Sequence, residues 1–345
     1  MTTIAFYHNA RIPYTPDDLG RPTIKGMESS VLQWAAALRK AGHTVRLHLP
    51  QSAAPLPYPD VTLYPLTDTT PADVAVALNE PDLLWRVPAK RKFLWMHNVL
   101  PLEKALRKGR LWPLIRMQMP VIVSSHWHAR TLSPLLRWHG VHVMPLGIAD
   151  AFTHHPRTAA PAPHVGYITH PYRGLDPFFA LWTQRILPHC PAAQLHLYGP
   201  KTLNHPSVVH HDAVGWDQLP DILGRLRCVV FPWDKPETFC LAAGEALTTG
   251  TPVISYAVGA IPEHAGVTAV TTPQAFADTT LAYLTNDALW MTTHTALSPL
   301  PRPRWTQHDF FHGKHDFWSG INKNSIFFNF LFTYWLLKDR KTVVM

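Results

Sequence analysis

The sequence predicts an α/β protein with two doubly wound halves, each a mainly parallel sheet with helices packed on it. The chain has 345 residues, which is more than a single domain usually contains. Short apolar runs alternate with helical patterns in both halves, as in consecutive βαβ units. Residues 150–164 are rich in Pro, Ala and His and have no periodicity, which is typical of a linker. We therefore predict a first domain at 1–155, a second domain at 162–300 and a distinct C-terminal segment at 301–345.

The first half opens with a strand, a loop, a helix and a second strand. The run TIAFYHN at 3–9 predicts a short buried strand, and TVRLHLP at 44–50 predicts the next one. Residues 27–43 are predicted to form a helix because four apolar residues share one helical face: Val31, Leu32, Ala35 and Leu38. Later apolar runs predict further strands at 91–98, at the start of 119–132 and at 142–148.

The second half repeats this alternation. A helix is predicted at 176–190, and apolar runs predict strands at 164–170, 193–199, 228–233 and 251–256. Ligands of such sheets bind at the carboxyl ends of the strands. Two sheets that face each other form a deep cleft, which suits a small ligand.

The charge balance predicts an acidic partner. The chain carries 31 Lys and Arg against 23 Asp and Glu, a formal net charge of +8. The basic residues are dispersed and no nucleic-acid-binding motif accompanies them, so we expect no nucleic-acid partner. A phosphorylated small molecule fits this charge, and so does peripheral contact with an anionic membrane face.

Cysteine and histidine usage restricts the chemistry further. Cys190, Cys228 and Cys240 form no C-x-x-C pair, which indicates a reducing compartment. No signal peptide is apparent at the N-terminus, so we expect a cytoplasmic protein, with peripheral attachment to the inner membrane face as a further expectation. The 22 histidines are scattered without a supporting cluster, and we expect neither a bound metal nor a cofactor.

The C-terminal segment differs in composition from the rest of the chain. No Pro follows Pro303, and seven of the fifteen Phe residues lie between Phe310 and Phe332. The apolar run at 325–337 is too short to span a bilayer as a helix. One interpretation is a helix that docks in a groove or on a membrane, and the other is a divergent tail without a role.

The stretch KPETFCLAAGEALTTGTPVI at 235–254 contains two glutamates eight positions apart, Glu237 and Glu245. Thr238 is predicted to cap a helix over 239–249. Glu245 would then lie two turns inside the helix, roughly 10 Å along its axis at ~1.5 Å per residue. On spacing alone, a solvent-facing helix with two ordinary glutamates is the preferred interpretation.

The start of this predicted helix has the properties of a phosphate site. The amides of Cys240 and Leu241 lie in the first turn, where they lack partners within the helix and where the helix dipole is positive. A diphosphate bound there would leave a sugar on one side and a ribose on the other. The two carboxylates could accept hydrogen bonds from hydroxyls at both ends, so their spacing suits a nucleotide sugar.

The wider stretch FPWDKPETFCLAAGEALTTGTPVISYAVGAIPE at 231–263 resembles the E-x7-E region of retaining glycosyltransferases of family 4 type. These enzymes have the GT-B fold, in which two Rossmann-like doubly wound domains face each other across a cleft. Three other stretches, at 25–45, 143–152 and 166–179, also resemble the family, and the likeness extends over about residues 3–311. The residues that match the family pattern are Pro232, Glu237, Phe239, Leu241, Glu245, Ala246, Gly250, Pro252, Val253, Ile254, Gly259 and Glu263.

The resemblance implies roles at the donor end of the site. Glu237 would hold hydroxyls of the transferred sugar, and Glu245 would hold the ribose. Thr238 would belong to the donor site, and the amides of Phe239, Cys240 and Leu241 would face the diphosphate.

Three further residues receive roles by the same resemblance. Arg173 would neutralise the β-phosphate as the leaving group departs. Gly26 would let the backbone of the first domain approach the diphosphate. His97 would contact the donor sugar or the reacting centre. The alternatives are a surface arginine, a plain loop glycine and a satisfied buried histidine.

The sequence departs from the family pattern at three positions. Cys240 occupies a position that is usually Gly, and its side chain could narrow the phosphate pocket. The family usually has an Arg and a Lys about five residues apart; Tyr167 stands at or next to the first of these positions, and Arg173 at the second. Ala260 replaces the second Gly of the G-G-x-x-E stretch.

The activity that the resemblance implies is transfer of a sugar from a nucleotide-diphosphate sugar, with retention of anomeric configuration and without a metal. The acceptor is a glycan, a lipid or a small molecule. Two alternatives remain on the same fold. One is a nucleotide-sugar epimerase or phosphorylase, and the other is a degenerate nucleotide-sugar-binding protein.

Overall fold

The fold is described by a computed structural model for residues 1–200 and 203–300. The predictions made for 301–345 lie outside the described residues.

The first half contains one sheet that is parallel except at one edge. Its strand order is β3-β4-β2-β1-β5-β6-β7-β8, and only the β3–β4 pair is antiparallel among the described pairings. The strands are β1 Thr3–Tyr7, β2 Thr44–Leu49, β3 Leu56–Pro57, β4 Thr62–Pro65, β5 Ala72–Leu78, β6 Ala89–Met96, β7 Val121–Val123 and β8 Val141–Val143. The helices are α1 Gly26–Lys40, α2 Leu102–Arg107, α3 Leu111–Arg116 and α4 His126–Thr131.

The second half contains a parallel sheet with the order β11-β10-β9-β12-β13-β14. The strands are β9 His164–Tyr167, β10 Gln194–Tyr198, β11 Val208–His211, β12 Cys228–Phe231, β13 Val253–Tyr256 and β14 Val267–Val270. The helices are α5 Leu175–Leu181, α6 Leu219–Gly224, α7 Leu241–Thr248, α8 Pro273–Thr285 and α9 Asp287–Leu297. A π-helical segment, Trp182–Ile186, continues α5.

Both sheets reverse their strand order at a point where parallel α/β proteins bind ligands. The reversal lies between β1 and β5 in the first half, and between β9 and β12 in the second. The loops that follow these strands are therefore the expected location of a ligand site.

The two halves share one hydrophobic core cluster. In the first half, Trp34 packs edge-on against both Phe6 and Trp95, with ring centroids 5.0 and 4.7 Å apart. The same cluster continues through Phe152 to Ala243 of α7 in the second half. Apolar packing therefore helps to position α7 against the first half.

The predicted α/β architecture with two doubly wound halves is confirmed. Residues 150–163 contain no helix or strand, and β9 begins at His164. The sequence patterns do not identify β5, the neighbour of β1, because three of its seven residues are alanines and one is Asp. Alanine and Asp are depleted in strands, so a buried strand of this composition gives a weak signal.

Five fully or partly buried histidines predict that the protein loses stability in mild acid. Burial lowers the pKa of His8, His48, His128 and His196 to about 4, and that of His97 to about 3. In the unfolded chain these groups take up protons near pH 6.5, so the unfolded state binds more protons between about pH 4 and 6.5. Urea unfolding, followed by tryptophan fluorescence at constant ionic strength, should give a lower midpoint at pH 5 than at pH 7.

Glu245 opposes this trend. Burial raises its pKa to about 7, so its contribution to stability is present below its ordinary pKa of 4.5 and is lost as the pH rises towards 7. One carboxyl group of this kind does not cancel five histidines. A midpoint at pH 5 equal to or above that at pH 7 would contradict the prediction.

Candidate functional site

The loop between β12 and α7 positions the predicted donor residues. The helix begins at Leu241 rather than at Phe239, and its N-cap is Cys240 rather than Thr238. Thr238 does not cap the helix: it lies two residues before Cys240, and its hydroxyl donates to the carbonyl oxygen of His97 in the first half, at 2.7 Å. The predicted cap and start of this helix are therefore wrong by two residues. The predicted end is confirmed, with Thr249 as C-cap and Gly250 in a left-handed conformation.

The later start changes the spacing of the two glutamates. Glu245 is the fifth residue of α7, so it lies about 6 Å along the axis from Leu241, at ~1.5 Å per residue. The predicted separation of two helical turns is wrong, because Glu237 lies in the loop before the helix. In sequence, the two glutamates nevertheless lie on either side of the first turn of α7.

The first turn of α7 offers unused hydrogen-bond donors. Among the described residues, none accepts a hydrogen bond from the amide of Cys240, Leu241 or Ala242. The amide of Gly244 donates to the carbonyl oxygen of Cys240 at 3.4 Å, which closes the first helical turn. The helix dipole adds positive potential at this end, so the turn can bind an anion.

Glu237 forms an ion pair with Arg173, which comes from the loop after β9. Both side chains are partly buried, with Arg173 33% and Glu237 19% exposed. Gly174, directly after Arg173, has a φ of 85° and is the N-cap of α5. A Cβ at Gly174 would collide with the backbone of Pro232, so glycine brings the two loops together at the ion pair.

A second glycine holds the backbone of Glu237 in place. The amide of Ala260 donates to the carbonyl oxygen of Glu237 at 2.9 Å. Gly259 has a φ of 68°, and a Cβ there would lie 2.6 Å from the nitrogen of Glu237. The loop after β13 therefore approaches the Glu237 backbone so closely that only glycine fits at position 259.

Glu245 is a buried carboxyl group without an ion-pair or hydrogen-bond partner for its side chain among the described residues. Burial raises its pKa to about 7. An uncompensated buried carboxylate is costly. A ligand that donates hydroxyl hydrogen bonds would offset this cost.

The N-termini of α1 and α7 meet between the two halves. Gly26 is the first residue of α1, and a Cβ there would lie 3.2 Å from the Cδ1 atom of Leu241, the first residue of α7. The structure therefore places Gly26 beside the first turn of α7. A side chain at position 26 would occupy part of the space between the two helix starts.

His97 lies directly after β6, at the carboxyl edge of the first sheet. Its amide donates to Oδ1 of Asn79 at 2.9 Å, and its carbonyl oxygen accepts from Thr238. Its Nε2 atom is buried and has no hydrogen-bond partner among the described residues. Burial lowers its pKa to about 3, with His8 and His128 adding to the effect, so the ring is neutral at pH 7.

Sequence reasoning missed three polar residues around the site. Asn79 follows β5 with a φ of 58°, and an Asn directly after a buried strand is a signal that could have identified it. The hydroxyl of Ser124, after β7, donates to the carbonyl oxygen of Thr238 at 2.9 Å. Glu28 is a buried residue in the first turn of α1, and its Oε2 atom has no hydrogen-bond partner in the described part of the chain.

Glu263, which the sequence supplied only as the last matching residue of the motif, connects the two halves. Its two carboxylate oxygens accept from the amides of His126 and Trp127, at 2.9 and 2.6 Å. These amides open α4, where a negative charge is favoured by the helix dipole. Arg130 of the same helix forms an ion pair with Glu263 at 3.2 Å.

The three departures from the family pattern have different structural consequences. Tyr167 is buried in β9, where its hydroxyl donates to the carbonyl oxygen of His170 at 2.8 Å. It therefore brings no positive charge to the site. Ala260 has a φ of −97°, which suits any residue. Cys240 has a φ of 72°, a conformation that favours glycine.

The thiol of Cys240 stays protonated near neutral pH. Burial raises its pKa to about 12, and the carboxylate of Glu237 acts in the same direction. A neutral thiol next to the first turn of α7 adds bulk without adding negative charge.

The described residues contain no group of three or more His, Cys, Asp or Glu side chains arranged to hold a metal ion. Within the same residues, no helix is both long and apolar enough to cross a membrane.

Comparison with known structures defines the fold class as GT-B. Sucrose-phosphate synthase from Thermosynechococcus elongatus is similar at 17% sequence identity, covering 86% of this chain and 93% of that chain, with a TM-score of 0.61. Anabaena HepE in complex with UDP and glucose is similar at 14% identity, covering 88% and 96%, with a TM-score of 0.61. The catalytic domain of starch synthase IV from Arabidopsis thaliana, bound to ADP and acarbose, is similar at 12% identity, covering 87% and 96%, with a TM-score of 0.62.

The sequence adds a family assignment for part of the chain. Residues 163–286 match the family described as glycosyl transferases group 1. This region contains Arg173, Glu237, Glu245 and the whole of α7. No curated protein matches the sequence.

Substitutions at Cys240 test the strained helix cap. Inside a helix or strand, a protein with glycine is less stable than the same protein with alanine by roughly 0.5–1 kcal/mol. At a positive φ alanine loses roughly 1–2 kcal/mol, and glycine does not. We therefore expect Cys240→Gly to have a higher free energy of unfolding than Cys240→Ala, by about 1 kcal/mol in urea titrations. Ala242→Gly, in the first turn of α7, is the control and should lower stability. Equal stability of the two Cys240 variants, or a more stable alanine variant, would contradict the assigned conformation.

Gly259 can be tested against a glycine with similar backbone geometry. Gly42 has a φ of 86° and open space around the position that a Cβ would occupy, whereas Gly259 faces the Glu237 backbone. Gly42→Ala should cost only the backbone strain, roughly 1–2 kcal/mol. Gly259→Ala should lower the free energy of unfolding by a larger amount in the same urea titration, because the new side chain must also displace the backbone of Glu237. Equal losses would show that the close approach at Gly259 is not a constraint.

Proposed function

We propose that the protein is a glycosyltransferase that moves a sugar from a nucleotide-diphosphate sugar to an acceptor, with retention of anomeric configuration. The observation that carries the proposal is the arrangement around α7. An Arg173–Glu237 ion pair precedes the helix, free amides open it, and the unpartnered Glu245 follows within it. The match of residues 163–286 to glycosyl transferases group 1 supports the same conclusion.

The donor would lie along α7 with its diphosphate at the first turn. The amides of Cys240, Leu241 and Ala242 would donate to phosphate oxygens. The ribose hydroxyls would donate to Glu245, which lies about one turn further along the helix. The hydroxyls of the transferred sugar would donate to Glu237. Gly26 would allow the first half to approach the diphosphate from the other side.

The reaction needs positive charge where the leaving group forms. The bond between the anomeric carbon and the phosphate oxygen breaks, and negative charge develops on the β-phosphate. Arg173 and the amides of α7 would stabilise this charge more strongly as it grows. The acceptor hydroxyl attacks the same face of the sugar, and its proton passes to the departing phosphate oxygen. This charge stabilisation by protein groups is the basis for proposing a metal-independent reaction.

The ion pair between Arg173 and Glu237 prepares the site for this donor. The pair holds both side chains at the sugar–phosphate junction before the donor binds. The β-phosphate would then replace Glu237 as the partner of Arg173, and a sugar hydroxyl would replace Arg173 as the partner of Glu237. Each charged group exchanges one partner for another, so neither is left uncompensated.

His97 and Thr238 would support the reacting centre. His97 is neutral and carries a buried Nε2 atom without a partner in the described structure. A neutral imidazole can donate or accept one hydrogen bond at this atom, depending on its tautomer. We propose that a donor-sugar hydroxyl is its partner after a small side-chain movement. Thr238 fixes the distance between His97 and α7 through its hydrogen bond.

A second candidate is a nucleotide-sugar-binding protein that does not transfer sugar. Two observations favour it. Tyr167 is buried at or next to a position where the resemblance implies a cation, and Cys240 adds a side chain at the helix cap. Both would weaken stabilisation of the leaving group more than binding of the ground state. An epimerase or phosphorylase on this fold would differ from both candidates in its products.

The three cysteines support a cytoplasmic location for this activity. They form no C-x-x-C pair in the sequence, which is typical of a reducing compartment. The +8 charge is compatible with a peripheral contact at an anionic membrane face.

The proposal is tested by donor binding followed by product analysis. UDP-, GDP-, ADP- and dTDP-sugars are screened for thermal stabilisation, and the best donor is incubated with the protein to measure nucleoside-diphosphate release. Arg173→Ala should lower the turnover by about 10²–10³-fold, since it removes charge stabilisation of the leaving group. Glu237→Gln should weaken donor binding by about 10-fold or more, since it removes a charged hydrogen-bond acceptor.

The exposed residues Arg185 and Glu103 supply the controls, and Arg185→Ala and Glu103→Gln should change neither quantity. NMR of the released or transferred sugar should show the anomeric configuration of the donor. An inverted product would refute retention. Donor binding without nucleoside-diphosphate release, with or without acceptors, would favour the second candidate. No donor binding at all would refute both.

A further inference from the structure

A cavity of about 690 Å³ lies beside the proposed donor site in the second half. It is formed between the start of α5 and the start of α8, where the loops after β9, β12, β13 and β14 come together. Its volume lies in the range of ligand pockets, about 300–1,000 Å³. Neither Arg173 nor Glu237 lines it, although the preceding residue Tyr172 and the nearby Lys235 both do. The cavity is therefore adjacent to the sugar end of the proposed donor site without being part of it.

Two aromatic rings in the lining of this cavity present apolar faces that are steeply inclined to each other. Tyr172 is 62% exposed, unusual for a large aromatic residue, and its ring centroid lies 5.8 Å from that of Trp233 at an interplanar angle of 69°. The Nζ atom of Lys235 lies 5.2 Å from the centroid of the Trp233 ring. Tyr and Trp combine an apolar face with a polar edge, which suits ligands that carry both kinds of surface.

The charged groups at the cavity favour a neutral ligand over an anionic one. Asp176 and Asp234 both line it, and both are exposed. Neither carboxylate forms an ion pair within the described residues, and Lys235 is the one lysine among the lining residues. The guanidinium of Arg173 also lies nearby, 5.8 Å from the Tyr172 ring centroid, but its charge is paired with Glu237. The two unpaired carboxylates against one ammonium group would repel a phosphate. The carboxylates can instead accept hydrogen bonds from hydroxyl groups.

We propose that this cavity binds a neutral oligosaccharide, with sugar rings against Tyr172 and Trp233 and sugar hydroxyls on Asp176 and Asp234. A saccharide offers the required combination of an apolar ring face and many hydroxyl donors. The role of the bound oligosaccharide rests on the proposed function: it is the glycan acceptor or its product, held next to the sugar that is transferred. This names the acceptor as a glycan rather than a lipid or a small molecule.

The test uses the full chain and four neutral probes: maltotetraose, cellotetraose, tetra-N-acetylchitotetraose and α-mannotetraose. Binding is followed by saturation-transfer NMR and titrated for affinity. At least one probe should bind, and Trp233→Ala should weaken it about 10-fold, the effect of losing one aromatic anchor. Asp176→Ala should also weaken it, and this variant is expected to fold because the side chain is exposed. Trp112→Ala, at a 54% exposed tryptophan of α3, is the matched control and should have no effect.

Competition separates this cavity from the donor site. A saturating nucleoside diphosphate, chosen from UDP, ADP and GDP by thermal shift, should not displace the tetrasaccharide. Displacement would overturn the proposal, because it would place the probe in the donor site. Absence of binding by all four probes, or equal binding by Trp233→Ala, Asp176→Ala and Trp112→Ala, would also overturn it. Because nucleotide binding is measured in the same samples, failure here is distinguishable from failure of the proposed glycosyltransferase.

Discussion

The two hydrogen bonds of Thr238 are the constraint on which the candidate site depends. Its hydroxyl donates to the carbonyl oxygen of His97, and its own carbonyl oxygen accepts from the hydroxyl of Ser124. Both partners lie directly after strands of the first sheet, so the loop before α7 is attached to the carboxyl edge of the other half. Because Glu237 and Cys240 flank Thr238 closely in sequence, their positions follow from this attachment.

The electrostatics of the site depend on few charged groups. Tyr167 is buried in the sheet, which leaves Arg173 as the cation that the described loop after β9 brings to Glu237. The first turn of α7 supplies the remaining positive potential through its amides. Fixed backbone dipoles therefore supply much of the positive potential at the site, and they need no reorganisation when charge develops on a ligand.

The fold was largely predictable from the sequence, and the site only in part. Alternating apolar runs and helical patterns predict nine of the fourteen described strands, because burial requires those patterns, but alanine-rich β5 and the short strands β3, β4, β11 and β14 are not predicted. The E-x7-E stretch locates Glu237 and Glu245 in one region. It misplaces the helix start: Thr238 is a good cap by local preference, but it lies two residues before the N-cap, and its hydroxyl contacts His97. Long-range contacts such as those of Glu263 leave no local pattern to read.

The attachment of Glu263 to α4 has a consequence for motion between the two halves. Its carboxylate is 29% exposed and Arg130 is 69% exposed, so this contact lies at a water-accessible rim. When the halves separate, water can hydrate the carboxylate and the amides of α4, and the free-energy cost is small. The contacts of Thr238 and the shared apolar cluster lie deeper and cost more to break. The contacts at the rim can thus break and re-form at a lower free-energy cost than the deeper contacts that hold the two halves together.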